Sequence, residues 1–235
     1  MSKVIGILNA YHFDKTPGSY QEKYEPMILD YFTNIMPENK FIVYQVAQNH
    51  FPTTTDECDA WVITGSPASA YDNEKWITNL IQFTKDLHSK KSRILGICFG
   101  HQLIAKALGG KIENSNKGWG IGVRSFDIIQ KTSWMHGEDQ NCSVLFSHQD
   151  QVTELPPGAT HLGSEPFCPI QMYSIEDHVF SLQGHPEFTK DYAKERYSTR
   201  KEAIGLGVYL EAMESMDDKI SDKTLANWIK EFLIH

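Results

Sequence analysis

The chain has 235 residues, of which 40% are hydrophobic and 22% are charged, an ordinary composition for a globular protein. At about 150 residues per domain, this length allows one large domain or two small ones and excludes a long multidomain synthetase. The net charge of −8 excludes a phosphate backbone as the main partner, because that partner requires a concentrated positive face. We therefore expect no nucleic-acid partner.

The four cysteines, Cys58, Cys98, Cys142 and Cys168, stand far apart in the sequence and form no C-x-x-C pair. The histidines show no metal-ligand spacing, so we expect no metal and no other cofactor. The apolar run at 4–8 is too short for a secretory signal, and no run approaches the roughly eighteen apolar residues that a membrane span needs. These features predict a cytoplasmic protein with reduced thiols and no membrane association.

In chain order, the first half alternates between short apolar runs and segments with helical spacing. Strands are predicted over 4–10, 41–47, 60–64 and 93–97. Helices are predicted over 24–35, 76–87 and 102–108. Ser19 and Glu22 form a capping-box pattern before the first helix, and Gly109 and Gly110 follow the third as a stop signal. This alternation predicts parallel β-α-β units in a doubly wound α/β sheet.

The pattern changes after residue 118. Short β-like runs lie at 123–129, 144–147, 170–175 and 179–183, and helices return from residue 189. The runs predict an antiparallel or mixed extension of the same sheet. The segment 118–122 is interpreted as a glycine-rich turn, and the C-terminal face around Trp228 as core or dimer packing. We expect one domain over 1–235, with its core at about 4–190 and a helical tail at about 191–235.

The segment 93–102 carries the strongest chemical signal. An apolar strand leads to Cys98 at a sharp turn, with Gly96 and Gly100 on either side, and a helix follows. This is the strand-turn-helix pattern of a nucleophile elbow, with a thiol in place of a hydroxyl. A position at a helix N-terminus favours the reactive thiolate. Taken alone, the pattern also fits a buried structural cysteine.

A second segment, 179–187, ends a strand at a Gly-His-Pro-Glu turn. A cysteine nucleophile needs a base within hydrogen-bond reach, and that base needs a third group to hold its tautomer. His185 and Glu187 are candidates for these two roles. The alternative is a surface turn followed by an acidic residue at a helix N-terminus.

A third segment, Thr-Gly-Ser-Pro at 64–67, follows a buried strand. A glycine there lets backbone N–H groups point into the crevice at the carboxyl edge of the sheet. The amides of Gly65 and Phe99 could then stabilise an oxyanion. Taken by itself, the segment is better interpreted as an ordinary turn between a strand and a helix.

Together, Thr-Gly-Ser-Pro, Gly-Ile-Cys-Phe-Gly-His-Gln and Gln-Gly-His-Pro-Glu resemble the class I (triad) glutamine amidotransferase domain over about residues 4–190. The resemblance implies an open, mostly parallel α/β sheet with flanking helices, flavodoxin-like, plus a small antiparallel extension and C-terminal helices. It implies Cys98 as nucleophile, His185 as general base and acid, and Glu187 as orienting carboxylate. It also implies oxyanion donors at Gly65 and Phe99.

The resemblance further implies that Gln102 contacts a bound glutamyl group. Ser147, His148, Gln149 and Asp150 match the segment that reads Ser-His-Gly-Asp in the GMP synthase branch, where it contacts the substrate's α-amino and α-carboxylate groups. Gln149 replaces the glycine of that branch. This form is similar to stand-alone members of the family, some of which hydrolyse γ-glutamyl peptides.

The implied reaction is cleavage of a γ-glutamyl amide through a thioester. The chain has no G-x-x-x-x-G-K-[ST] phosphate loop, so we expect no ATP-dependent activation of an acceptor. Two enzyme hypotheses remain: a glutaminase with a separate ammonia-acceptor subunit, and a hydrolase of γ-glutamyl peptides or conjugates. The alternatives are a non-catalytic regulatory or binding module on this fold, and a cysteine-elbow relative of the intracellular protease and chaperone group.

Overall fold

The computed structural model describes residues 2–11 and 20–234. The strands in these ranges are β1 Val4–Leu8, β2 Lys40–Tyr44, β3 Ala60–Ile63, β4 Arg93–Ile97, β5 Lys111–Asn114, β6 Gly120–Ile128, β7 Asn141–His148, β8 Asp150–Glu154, β9 Ala159–Ser164, β10 Met172–Ile175 and β11 Val179–Leu182. The α-helices are α1 Tyr24–Ile35, α2 Lys75–Ser89, α3 Phe99–Ala107, α4 Lys190–Thr199, α5 Lys201–Ile204, α6 Leu206–Glu214 and α7 Asp222–Ile234.

Within the described ranges, nine strands form one sheet in the order β2-β1-β3-β4-β11-β10-β9-β6-β7. The first five of these are parallel. Strands β3, β4 and β11 are neighbours, with Ile63 paired to Gly96 and Leu182 paired to Ile97. Carboxyl ends of parallel strands meet at one edge of a sheet, which is where ligands bind in open α/β folds. The three motif-bearing loops therefore converge, and the predicted fold class is confirmed.

The other half of the sheet is antiparallel, as expected for the segment after residue 118. Strands β10, β9, β6 and β7 pair antiparallel in turn, and β5 pairs with β8 in a separate two-stranded sheet. The sequence prediction missed β5, β8 and β9. The glycine-rich turn prediction is wrong from Gly120 onward, because β6 begins there and pairs Gly120 with His148.

Alternate side chains of the central strands face two separate hydrophobic clusters, one on each face of the sheet. In β3, Val62 lies in one cluster and Trp61 in the other. Helices α1 and α7 contribute to the Val62 cluster, and α2 and α3 to the Trp61 cluster. The Trp228 ring of α7 is fully buried, and its indole N–H donates to the His136 carbonyl at 2.7 Å. Of the two interpretations offered for this face, core packing is the one observed.

Helix α1 begins at Tyr24 after a 3₁₀ turn at Tyr20–Lys23. Lys23, at the N-cap, makes no side-chain capping hydrogen bond. The predicted capping residue Ser19 lies outside the described residues. Helix α3 ends at Ala107, and the N–H of Gly110 donates back to the Ala105 carbonyl at 2.7 Å, consistent with the predicted stop signal.

Candidate active site

Cys98 occupies the sharp turn between β4 and α3. Its backbone has φ 52° and ψ −101°, a conformation that costs about 1–3 kcal/mol for a residue with a side chain. The turn is held on the sheet by the Cys98 N–H, which donates to the carbonyl of Leu182 on β11 at 3.0 Å. The side chain is 5% exposed. A strained cysteine at a strand-to-helix turn is the geometry that a nucleophile elbow requires.

The flanking glycines permit this close packing. A Cβ atom on Gly100 would lie 2.2 Å from the carbonyl oxygen of Ile63 on β3. A Cβ atom on Gly96 would lie 2.6 Å from Cδ1 of Ile104 on α3. Both separations are far shorter than any non-bonded contact between heavy atoms, so the glycines bring α3 directly against the strands.

His185 and Glu187 form a buried pair just after β11. The His185 N–H donates to the Leu145 carbonyl at 2.7 Å, which anchors the turn to β7. Nδ1 of His185 lies 2.8 Å from Oε1 of Glu187, and each residue is 3% exposed. A carboxylate only accepts hydrogen bonds, so Nδ1 carries the hydrogen. The Phe188 ring stacks on the imidazole at 3.8 Å and fixes its plane.

Neighbouring negative charge controls the protonation of His185. Burial alone would lower the pKa of the imidazole, but the charges of Cys98 and Glu187 outweigh burial and raise the pKa to about 9. The protonated ring is therefore the favoured form at neutral pH.

The Thr64–Pro67 loop after β3 lies against this pair. A Cβ atom on Gly65 would be 2.9 Å from Cε1 of His185. The Gly65 N–H, predicted to be an oxyanion donor, donates to the hydroxyl of Tyr24 at 3.0 Å. The next residue, Ser66, lines a cavity that also exposes Cys98 and Phe99.

This cavity of about 110 Å³ contains every residue that the sequence predicted to contact substrate. Its walls are Ser66, Pro67, Ala68, Ser69, Cys98, Phe99, Gln102, Asn114, Trp119, Ser147, His148, Gln149, Asp150, Arg196 and Arg200. Two of the three motif loops and the 147–150 segment thus line one cavity, and Gly65, His185 and Glu187 are not among its lining residues.

Hydrogen bonds fix the predicted contact residues in place. The Asp150 carboxylate accepts from Ser69 Oγ at 2.5 Å and from Asn114 Nδ2 at 3.0 Å. Gln102 Nε2 donates to the Asp150 carbonyl at 2.7 Å and to Oε1 of Gln183 at 3.1 Å. This part of the cavity wall is therefore polar, and its side chains are held by hydrogen bonds to one another.

Arg196 and Tyr24 are among the residues of the site that sequence reasoning missed. Arg196 of α4 is 3% exposed, and it donates from Nε to Ser147 Oγ and from Nη1 to Tyr11 Oη, both at 2.9 Å. Tyr24 of α1 contacts both Gly65 and Glu187. Neither stands in a recognisable motif, and their helices approach the site only through tertiary packing.

No group of three or more His, Cys, Asp or Glu side chains within residues 2–11 and 20–234 is arranged to hold a metal ion. Across the same ranges, no helix combines the length and apolar character that a membrane span needs. The four cysteines are free thiols.

Comparison with solved structures identifies the fold class. A glutamine amidotransferase from Thermotoga maritima superposes with a TM-score of 0.78 at 19% identity, covering 99% of this chain and 98% of that one. A second, from Methylobacillus flagellatus, gives a TM-score of 0.74 at 21% identity, covering 99% and 93%. At sequence identities this low, the structural similarity shows that these proteins share a fold.

Sequence comparison identifies the family. The model for "Glutamine amidotransferase class-I" matches residues 22–202, and the chain belongs to this family, as its motifs predicted. It is 38% identical to gamma-glutamyl peptidase 3 of Arabidopsis thaliana over 157 residues, which are 63% of each protein. It is 29% identical to a GMP synthase of Neisseria meningitidis over 178 residues, 69% of this chain and 32% of that protein. The match thus spans less than two thirds of these relatives.

Proposed function

We propose that this chain is a cysteine-dependent amidohydrolase that cleaves the amide bond of a γ-glutamyl compound. One observation carries the proposal: Cys98 stands at a strained turn after β4, and the neighbouring parallel strand β11 leads to the buried His185–Glu187 pair, whose side chains lie 2.8 Å apart. A thiol, an imidazole and an orienting carboxylate are the components of a cysteine-based triad. Membership of the class-I glutamine amidotransferase family supports the same reaction.

In the first half-reaction, the Cys98 proton already resides on Nε2 of His185, in keeping with the protonated ring favoured at neutral pH, and Sγ attacks the γ-carbonyl carbon of the substrate as a thiolate. Glu187 stabilises the imidazolium through Nδ1–H. The resulting tetrahedral oxyanion then collapses, the C–N bond breaks, and His185 returns its proton to the departing nitrogen. The products are a γ-glutamyl thioester on Cys98 and a free amine or ammonia.

In the second half-reaction, His185 removes a proton from a water molecule, which attacks the thioester carbonyl. The C–S bond breaks, His185 protonates the Cys98 sulfur, and the product is the free acid: glutamate, if the glutamyl group carries no other modification. One imidazole therefore acts as base and acid in turn. Because the imidazole gains and loses a proton in each half-reaction, its protonation state has to be controlled by a fixed neighbour such as Glu187.

The oxyanion of both tetrahedral intermediates needs backbone donors. The Phe99 amide, the first of α3 after Cys98, is one candidate because Phe99 lines the cavity. To serve as a second donor, the Gly65 amide would have to exchange its present hydrogen-bond partner, the Tyr24 hydroxyl, for the oxyanion. The amide of Ser66, which lines the cavity with Phe99, is a second candidate for that position.

The cavity wall supports a glutamyl group as the part of the substrate that is recognised. Gln102, Ser147, His148, Gln149 and Asp150 would contact its α-amino and α-carboxylate groups. Gln149 stands where the GMP synthase branch has glycine, and the relatives at 33–38% identity include gamma-glutamyl peptidases. We therefore favour a γ-glutamyl peptide or conjugate as substrate.

A second candidate is a glutaminase that releases ammonia for a separate acceptor subunit. The match to a GMP synthase, a protein named as glutamine-hydrolysing, favours it. Both reactions share the glutamyl group and the thioester, and differ only in the leaving amine.

The test is a side-by-side assay of glutamate release from glutamine, glutathione and glutathione S-conjugates. We expect faster release from the γ-glutamyl peptides than from glutamine, and none from the Cys98→Ser variant. Cleavage of glutamine alone, accelerated by a second protein, would contradict the peptidase assignment. Failure to cleave any of them would favour the non-catalytic module on this fold.

A further inference from the structure

Tyr24 of α1 connects two parts of the active site that the motifs leave separate. Its side chain is fully buried. Its hydroxyl accepts the Gly65 N–H at 3.0 Å and donates to Oε1 of Glu187 at 3.4 Å. A hydroxyl has one hydrogen to donate and lone pairs to accept with, so one oxygen atom contacts both the loop after β3 and the carboxylate that holds His185.

The Tyr24 ring is fixed, so its hydroxyl has a defined position. It stacks on Tyr11 at a centroid distance of 4.4 Å and meets Phe188 edge-on at 6.3 Å. Phe188 in turn stacks on His185. Aromatic pairs with these separations hold their rings in definite orientations. Displacement of the Tyr24 ring would therefore disturb the imidazole as well.

The hydroxyl of Tyr24 remains protonated and able to donate. Burial raises the pKa of Tyr24 well above its usual value, and the negative charge of Glu187 raises it further. A hydrogen bond with Thr64 lowers this pKa by a smaller amount. At 3.4 Å the contact with Glu187 is long for an O–H···O hydrogen bond. The hydroxyl of Tyr24 therefore interacts with Glu187 mainly through electrostatic attraction. It acts on Oε1, the same carboxylate oxygen that Nδ1 of His185 contacts.

We propose that Tyr24 is a positioning residue that aligns Glu187 with His185 and holds the Gly65 loop against the imidazole. This inference rests on the proposed function, since it assigns Tyr24 a role in that reaction. Tyr24 acts on the reacting atoms through its neighbours Glu187, Gly65 and Phe188. Its loss should therefore slow the chemical steps and leave the binding of substrate largely unchanged.

The test compares Tyr24→Phe with Tyr44→Phe, which removes a tyrosine hydroxyl that donates to the Glu57 carboxylate at 2.9 Å, outside the active site. For Tyr24→Phe we expect kcat to fall about 10-fold while KM stays within about twofold. In a Glu187→Gln background the further loss should be smaller than in the wild type, because the part of the effect that acts through Glu187 is already lost. Tyr44→Phe should change neither constant.

A second measurement does not depend on activity: the titration of ¹³C-labelled His185 by NMR, assigned with a His185→Gln variant. Tyr24→Phe loosens the alignment of Glu187 with Nδ1 of His185, so the imidazolium loses part of its support and the midpoint should fall by about one pH unit. An unmoved midpoint, an equal shift in Tyr44→Phe, or full retention of kcat would overturn the positioning role. If the wild type cleaves no substrate, the proposed function fails, and the NMR midpoint alone decides the role of Tyr24.

Discussion

Nδ1 of His185 and Oε1 of Glu187 lie 2.8 Å apart at the end of β11, in a region where each side chain is almost completely excluded from solvent. A buried carboxylate without a charged partner would be strongly destabilised. The two groups therefore stabilise each other. The ring supplies the positive charge that the buried carboxylate needs. The carboxylate holds the hydrogen on Nδ1, so Nε2 is the nitrogen that exchanges a proton with Cys98.

Replacing Glu187 by Gln should remove that charge while preserving the shape of the side chain. We expect kcat to fall at least about 100-fold, because the imidazolium is no longer stabilised and the tautomer is no longer fixed. Steady-state kinetics on the best γ-glutamyl substrate measure this. Glu176→Gln, at an exposed ion pair with Lys91, is the matched control and should be unaffected. Equal activity in the two variants would remove Glu187 from the mechanism.

Stability should depend on pH through His185. Its pKa is raised from 6.5 to about 9, so the folded protein holds a proton that the unfolded chain releases in this interval. The contribution of the charged ring is fully present below pH 6.5 and is lost as the pH rises to about 9. Urea midpoints should fall across this window, and less so in His185→Gln. Parallel pH profiles of the two proteins would contradict the raised pKa.

Gly65→Ala tests the contact between the Thr64–Pro67 loop and the imidazole. The added Cβ would lie 2.9 Å from Cε1 of His185 and 3.3 Å from Oη of Tyr24. We expect activity to fall about 10-fold or more, because small displacements of catalytic groups are costly. Gly207→Ala, where a Cβ meets nothing within 4 Å, is the control. Unchanged kinetics in Gly65→Ala would show that the loop adjusts freely.

Gly100→Ala tests the packing of α3 on the sheet. Its Cβ would lie 2.2 Å from the backbone oxygen of Ile63, which cannot move without disturbing β3. We expect the free energy of unfolding to drop by at least about 2 kcal/mol, measured by urea denaturation. Gly207→Ala is again the control, and it should leave stability equal or slightly higher. A fully stable Gly100→Ala protein would contradict the close helix–strand contact.

Much of the fold could be predicted because four of the five parallel strands are short, mostly apolar runs that are almost completely buried. The strand predicted at 93–97 matches β4 at both ends, and the turn at Cys98 follows from the glycines around it. Strands β5 and β8 were missed because their sequences, Lys-Ile-Glu-Asn and Asp-Gln-Val-Thr-Glu, are short and mostly polar and pair only with each other. Their pairing depends on contacts distant in sequence.

Prediction of the site residues from the sequence was limited for the same reason, because some of them depend on contacts distant in sequence. The positions of Cys98, His185 and Glu187 are set by loops at adjacent strand ends, which a motif can indicate. Tyr24 and Arg196 belong to helices whose faces are chosen by packing, and their residue types alone predict nothing about catalysis. The Gly65 amide illustrates a further limit, since its hydrogen-bond partner comes from a helix about forty residues earlier.

The most direct test of the account is the release of glutamate from a γ-glutamyl peptide by the wild type and by Cys98→Ser, with Cys58→Ser as a second buried-cysteine control. The serine at position 98 keeps the fold but removes the thiolate, so release should fall by at least about 10³-fold. Cys58→Ser should match the wild type. Undiminished release by a folded Cys98→Ser protein would contradict thioester chemistry at this turn.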